Sequence, residues 1–344
     1  MSPSDRYSRQ TRCPVVGEPG QARLGTSRVL LVGLGALGSS LADSLTRAGV
    51  GELILVDRDV VELSNLQRQV LYNEADAQAG RPKAEAAATH LAAVNSTVRL
   101  RPLCVDFTPK TFEAIDRAEE LDLILDGTDN FATRYLLNDL ALQHGIPWIY
   151  GGVVGTHGTA MVILPGQTPC LRCLIPEPPA TGESETCETA GVLLPAVQAV
   201  SSFQAGEAIK ILTGATESVT RGIVMLDTWD HRHSLHMQKA GPTSHCATCR
   251  GEDFPALRAD WSESVSLCGR DAVQVHPRGS EELRLATLAD NLAGAADHIE
   301  LSDVLLRFEV DGCRFSVFPG GRALIFGVTD PQRARTLYDR YIGA

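Results

Sequence analysis

No stretch of this sequence comes near the roughly 20 consecutive apolar residues that a membrane-spanning helix needs, and no segment is of low complexity. The N-terminal stretch MSPSDRYSRQTRCP also lacks the apolar core of a signal peptide. A cytoplasmic location and no membrane partner are therefore the expectation. Positive charge is in short supply: the formal net charge is −11 over 344 residues. Nucleic-acid phosphates are met by basic faces, so a nucleic-acid partner is not expected, although a local basic pocket remains compatible with this balance. No internal repeat is present. The nine cysteines are an odd number and include two Cys-x-x-Cys pairs, which fits a metal site better than a secreted disulfide framework.

What the chain does contain is an ordinary globular composition, 44% hydrophobic and 21% charged, at a length that allows one large domain and a smaller one. The block Val29 to Gln69 organises the rest. Val29 to Val32 reads as a buried strand, Gly33-x-Gly35-x-x-Gly38 as the turn after it, and Ala36 to Ala48 as a helix closed by Gly49. A second strand, Glu52 to Val56, ends at Asp57. In such a unit the glycines let the backbone approach a phosphate, the helix N-terminus offers free N–H groups, and the acid takes ribose hydroxyls.

Strands and helices then alternate. Pro82 opens a helix over Lys83 to Asn95, Thr97 to Leu103 reads as a strand and Thr108 to Ala118 as a helix. Leu121 to Leu125 is a short apolar strand ending in Asp126-Gly127-Thr128-Asp129-Asn130; a helix to His144 and a strand from Pro147 to Val154 follow. Before the first strand, the polar arm Arg6 to Gln10 and the connector to Thr26 read as a solvated terminus, and the segment from Asp57 to Arg81 as loop. The expected fold is α/β, a doubly wound, mostly parallel Rossmann-like sheet with helices on both faces. Ligands of such sheets bind beyond the strand C-termini, where strand order reverses.

Further on, Gly158 to Leu164 reads as a strand and Val192 to Leu212 as a long helix, with strand-like material from Gly222 to Gln238. The Pro/Glu/Thr-rich stretch Pro176 to Thr189 reads as an exposed loop carrying Cys187. Residues 1–250 are expected to form one domain and 251–344 a small α+β domain. The latter has strands at Asp271 to Val275, Val304 to Val310 and Cys313 to Val317, and helices at Leu283 to Leu292 and Pro331 to Ile342.

A glycine turn alone would favour a nicotinamide or flavin dinucleotide. ATP, with roughly four negative charges, needs additional cations and a metal ion. Arg9, Arg68, Lys83 and Asp129 are candidates for that work; taken singly, Arg68 and Lys83 are equally readable as a loop arginine and a helix-surface lysine. Cys170-x-x-Cys173 and Cys246-x-x-Cys249 suit a tetrahedral ion, with redox pairs or incidental buried thiols as the other readings. His231, His233 and His236 read as side chains of one strand rather than as a metal site, with His231 and His233 on the same face.

The arm Arg6-Tyr7-Ser8-Arg9-Gln10, the glycine turn, the run from Asp57 through Ser64-Asn65-Leu66-Gln67-Arg68-Gln69, Gly80 to Lys83 and Asp126 to Asn130 together resemble the ThiF/MoeB adenylyltransferases, relatives of the ubiquitin-activating enzymes. The resemblance runs from about Arg6 to Cys249. It implies adenylation of the C-terminal glycine of a ubiquitin-like sulfur-carrier protein ending in Gly-Gly, in thiamine or molybdopterin biosynthesis, with an external sulfur donor. Gly33, Gly35 and Gly38 would cradle the nucleotide, Asp57 would hold the ribose, and Asp59 and Asn65 would lie in the same site. Arg68 and Lys83 would contact phosphates, Asp129 would serve Mg2+, and Arg9 would reach into the neighbouring site of a homodimer. Cys170, Cys173, Cys246 and Cys249 would hold Zn2+, and Cys187 would correspond to a position that in some members forms a covalent intermediate in sulfur transfer. The sequence departs from the common pattern at Ala36, where many members have glycine, and at Arg81, where many have glutamine. The C-terminal module has no rhodanese Cys-loop and is expected to contribute to carrier or partner recognition. A Rossmann-type NAD-dependent oxidoreductase and a non-catalytic zinc-bearing adaptor are the competing readings.

Overall fold

The computed structural model describes residues 6–177, 190–237, 245–259, 261, 265–266, 272–277 and 283–343. The chain divides into two compact units, Met1–Ala259 and Asp260–Ala344.

In the first unit an eight-stranded sheet runs in the order β3-β2-β1-β4-β5-β6-β7-β8. Its strands are β1 (Arg28–Val32), β2 (Glu52–Val56), β3 (Arg99–Leu103), β4 (Leu123–Asp126), β5 (Trp148–Val154), β6 (His157–Ile163), β7 (Gly222–Asp227) and β8 (Arg232–Met237). The first five are parallel; β6, β7 and β8 extend the sheet as an antiparallel meander. The helices are α1 (Ser8–Thr11), α2 (Gly17–Leu24), α3 (Ala36–Ala48), α4 (Glu74–Ala79), α5 (Lys83–Val94), α6 (Pro109–Glu113), α7 (Phe131–His144), α8 (Leu171–Leu174) and α9 (Leu194–Thr213).

The apolar runs of β1, β2 and β4 are explained by burial on both faces. Val29, Leu31, Leu53, Leu55, Leu123 and Leu125 pack with Leu41 and Leu45 of α3, Leu91 of α5 and Leu212 of α9. Their alternates, Leu30, Ile54 and Ile124, are equally shielded from solvent. Truncating any of these leucines to alanine costs about 2–5 kcal/mol in a packed interior.

The helix expected over Thr108 to Ala118 is α-helical only at Pro109–Glu113 (α6), and three further segments differ from the sequence expectation. The connector before β1 contains α2, whose Leu24 is fully buried. The arm is no solvated terminus: Arg6 donates to the Val94 carbonyl, Gln10 donates to the Ala48 carbonyl at 2.9 Å, and the Tyr7 hydroxyl accepts from Asn95 at 2.8 Å. The supposed loop between β2 and α5 contains α4, started by a reciprocal Asn73–Asp76 capping box. Asp76 also binds Arg81 at 3.1 Å and His90 at 2.7 Å, so Arg81, the departure from the common family pattern, clamps α4 to α5.

The second unit is an antiparallel sheet ordered β11-β12-β13-β14-β10-β9. It comprises β9 (Val265–Ser266), β10 (Ala272–Val275), β11 (Asp297–Leu301), β12 (Leu306–Val310), β13 (Cys313–Val317) and β14 (Ala323–Phe326), with α10 (Leu285–Leu292) and α11 (Pro331–Tyr341). Leu288 and Leu292 of α10 and Leu337 and Tyr338 of α11 pack with Phe308, Phe315 and Ile325 in one core. The α+β composition agrees with the sequence, but β9, β11 and β14 were not anticipated.

Candidate active site and four-thiolate cluster

Between β1 and β4 the strand order reverses, and their C-terminal ends meet through three glycines. Gly33 has φ 86°, and a Cβ there would lie 2.7 Å from the Gly127 carbonyl. A Cβ on Gly38 would lie 1.8 Å from the Gly33 oxygen, and one on Gly127 would lie 2.4 Å from that same oxygen. A side chain at Gly38 would break the turn against its own Gly33 carbonyl, and one at Gly127 would push the turn and the β4 loop apart. Gly127 is therefore as necessary as Gly33 and Gly38, though nothing in the glycine pattern singled it out.

Gly35 differs from these. It is the N-cap of α3, no side chain caps the helix, and an added Cβ would find only Gln69 Nε2, at 3.9 Å. The glycine thus keeps space free in front of a helix start that carries uncapped N–H groups and partial positive charge, an arrangement suited to a phosphate. Gln69 is 4% exposed, and its buried Oε1 has no hydrogen-bond partner among the described residues. A buried amide left in that state is a candidate ligand contact.

Asp57, at the end of β2, accepts the Leu34 N–H at 2.6 Å and the Asp59 N–H at 2.7 Å, so it braces the glycine turn. Burial raises its pKa, an effect that the nearby Lys83 charge opposes. Beneath it the buried Tyr72 hydroxyl donates to the Leu34 carbonyl at 2.8 Å. Lys83 is buried at the start of α5, with its ammonium 3.1 Å from Asp59 Oδ2. Asp59 is therefore the partner that makes an interior lysine tolerable. Asn65 is buried and its Oδ1 accepts the Glu62 N–H at 3.1 Å, which shapes the loop carrying Arg68. Arg68 is half-buried, and its guanidinium donates to the Ser64 carbonyl at 3.0 Å.

Asp129 is exposed just beyond β4. Arg58, which sequence reasoning passed over, binds Asp106 at 3.1 Å and lies within reach of Asp59 at 3.9 Å. Burial works against its charge, yet Asp59, Asp106 and Asp129 together raise its pKa. Behind this loop, buried Asp126 accepts from the Thr128 N–H and hydroxyl at 2.8 and 2.7 Å and faces Arg134 Nε at 3.3 Å. Arg134 also donates to the Thr128 and Gly151 carbonyls, fastening the Asp129 loop to β5.

The glycine turn, Asp57, Asp59, Asn65, Arg68, Lys83 and Asp129 thus all lie on segments that leave the C-terminal ends of β1, β2 and β4. Arg9 does not join them. Its arm is tied to the C-terminal end of α3, and 13 residues at about 1.5 Å each put some 20 Å between the two ends of that helix. Cys187 lies outside the described residues. His231 precedes β8 in a left-handed conformation, φ 52°, so it does not share a strand face with His233, and no metal-ligand group of three or more among the described residues includes either.

The two cysteine pairs converge. Cys170, Cys173, Cys246 and Cys249 have sulfur atoms all within 4.8 Å of one another, with Sγ–Sγ separations of 3.8, 3.7 and 3.4 Å for 170–173, 170–246 and 173–249. These are far too long for disulfides. They approach the spacing of about 3.8 Å that a tetrahedron with metal–sulfur bonds of about 2.3 Å requires. A hydrogen bond with Cys249, together with burial, pushes the Cys170 thiol up, and burial raises Cys246.

Comparison with known proteins agrees with this layout. The sequence model described as "ThiF family" matches residues 7–249. A protein of Bacillus subtilis (strain 168), "Sulfur carrier protein ThiS adenylyltransferase", is 40% identical over 341 residues, covering 98% of this chain and 99% of that one. "Sulfur carrier protein adenylyltransferase" of Thermus thermophilus is 39% identical over 272 residues, 77% of this chain and 96% of its own. Among solved structures, E. coli MccB with succinimide superposes with TM-score 0.61 at 22% identity, covering 71% of this chain and 74% of the other, which speaks to the fold alone.

Proposed function

This chain belongs to the ThiF family and is an adenylyltransferase, and from that premise we propose that it uses ATP to adenylate the C-terminal glycine of a ubiquitin-like sulfur-carrier protein. The observation that carries the reading is the uncapped start of α3 behind Gly35, flanked by the Arg68 loop and Lys83. The names of the two relatives, each matched over nearly its whole length, support a sulfur carrier as the substrate.

A terminal carboxyl has an ordinary pKa of about 3.3–3.7, so it is ionised at neutral pH and needs no general base. One carboxylate oxygen forms a bond to the α-phosphorus, the bond from that phosphorus to the bridging oxygen breaks, and pyrophosphate leaves with the electron pair. The protein's work is alignment and charge compensation. Arg68 would offset charge on the α-phosphate and Lys83 on the departing pyrophosphate, while Asp57 would hold the ribose. Asp129 is exposed and so able to hold Mg2+, which would supply further positive charge to the phosphates. The four thiolates would hold a structural Zn2+.

Arg9 is proposed to act in a partner's site, because its arm is anchored at the far end of α3 from its own glycine turn. Mixing Arg9→Ala and Arg68→Ala protomers in equal amounts should restore about a quarter of wild-type activity, since only one site of each mixed C2 dimer has both arginines. Recovery no greater than the sum of the separate variants would exclude action in trans. Cys187 is proposed as the covalent sulfur-transfer position; a Cys187→Ala variant that thiolates the carrier at wild-type rate would exclude it.

The decisive experiment is pyrophosphate exchange into ATP with and without carriers ending in Gly-Gly, drawn from thiamine and molybdopterin pathways. Exchange that depends on one of them is expected; none with any carrier would overturn the reading. Stabilisation by NAD but not by ATP with magnesium would instead favour the oxidoreductase reading.

A further inference from the structure

We propose that Asp139, with its neighbour Asn138, is the positioning residue that assembles the four-thiolate cluster, gripping both cysteine-bearing segments from α7. The proposal rests on the zinc reading above.

Both side chains are on α7 and both are fully buried. Asp139 binds the guanidinium of Arg172, which lies between the first two cysteines, through two parallel contacts of 2.9 Å each. Its Oδ2 also accepts the Ala256 N–H at 2.9 Å, a few residues after the second cysteine pair. Asn138 accepts the Leu171 N–H at 2.9 Å and donates to Asp139 at 3.2 Å. One helix turn earlier, Tyr135 lies under the Arg172 guanidinium at 4.6 Å and donates to the Ile175 carbonyl at 2.7 Å. A single buried carboxylate therefore touches the chain on both sides of the cluster, although the two cysteine pairs are far apart in sequence.

The physical consequence concerns entropy. Bringing two distant segments together has a loop-closure cost that grows with their separation. Where the metal alone closes the loop, that cost is subtracted from its binding free energy. Here α7 closes it through hydrogen bonds that involve no thiolate, so the sulfur atoms already stand at near-tetrahedral spacing. Bidentate Arg–carboxylate geometry also fixes the orientation of the turn between Cys170 and Cys173, as outer partners of metal ligands do elsewhere.

The test is a Co2+ titration of the full chain, stripped of metal under reducing conditions, followed by the thiolate-to-cobalt and d–d absorption bands of a tetrahedral S4 site. Asp139→Asn should lower Co2+ affinity by about 10–100-fold, the range for loss of an outer-shell partner, while stabilisation by ATP and magnesium is kept. Should that variant not fold, Asn138→Ala, which removes the acceptor for Leu171 and one donor to Asp139 but leaves the Asp139 carboxylate on Arg172 and Ala256, should still weaken Co2+ binding. A folded variant with wild-type affinity and spectrum overturns the role of Asp139. Absence of the tetrahedral signature in the wild type overturns the zinc reading and this inference together.

Discussion

Replacing Arg68 with alanine should lower carrier-dependent pyrophosphate exchange by about 10²–10³-fold, the loss that follows removal of one preorganised donor from a developing charge. The chain should still fold, because Arg68 is half-buried and its recorded hydrogen bond is to the Ser64 carbonyl of its own loop. Nucleotide binding should weaken far less than turnover, since the helix start and the glycine turn are untouched. Lys83→Ala would be a less clean experiment: it takes a buried positive charge away from the neighbouring Asp57 and Asp59 carboxylates, so instability and lost catalysis would be mixed. Exchange kinetics at saturating ATP, set beside calorimetric ATP affinity, separate the two effects. Exchange within a few-fold of wild type would remove Arg68 from the proposed chemistry.

Stripping the proposed Zn2+, by a strong chelator or by Cys173→Ser, should lower the thermal midpoint by about 10 °C or more. A structural zinc contributes folding free energy outright, and each kcal/mol shifts the midpoint of a domain of this size by about 2–4 °C. The loss should be graded rather than total, because α7 still holds Leu171, Arg172 and Ala256 after the ion is gone. Nucleotide protection should survive in part, since the glycine turn is built from β1, α3 and β4 and none of its backbone contacts involves a cysteine. Calorimetry before and after chelation, with metal analysis of the purified protein, reads this directly. A metal-free protein with an unchanged midpoint would exclude a structural ion.

Much of the architecture could be read from short-range signals. Val29 to Val32 and Leu53 to Val56 are apolar runs that only a strand buried on both faces requires, and their position before the Gly33 turn and Asp57 implies the parallel unit between them. The two Cys-x-x-Cys pairs announced their convergence because thiolates at that spacing have few other uses. The missed elements had weaker signals. The Asn73–Asp76 capping box of α4 and the apolar Ala323–Phe326 of β14 were present in the sequence and overlooked, whereas β11, an edge strand with mostly exposed side chains, offers almost no hydrophobic pattern.

The sequence by itself determined the sheet, the glycine turn and the two cysteine pairs, because each depends on residue types a few positions apart. Only the tertiary structure decided which charges are partners. It set Lys83 against Asp59, made Gly127 indispensable through its approach to Gly33, and anchored Arg9 at the opposite end of α3 from its own turn. It also gave Asp139 a grip on two remote segments. Those outcomes depend on which buried polar groups meet in space once the sheet has closed, and no periodicity along the chain encodes that.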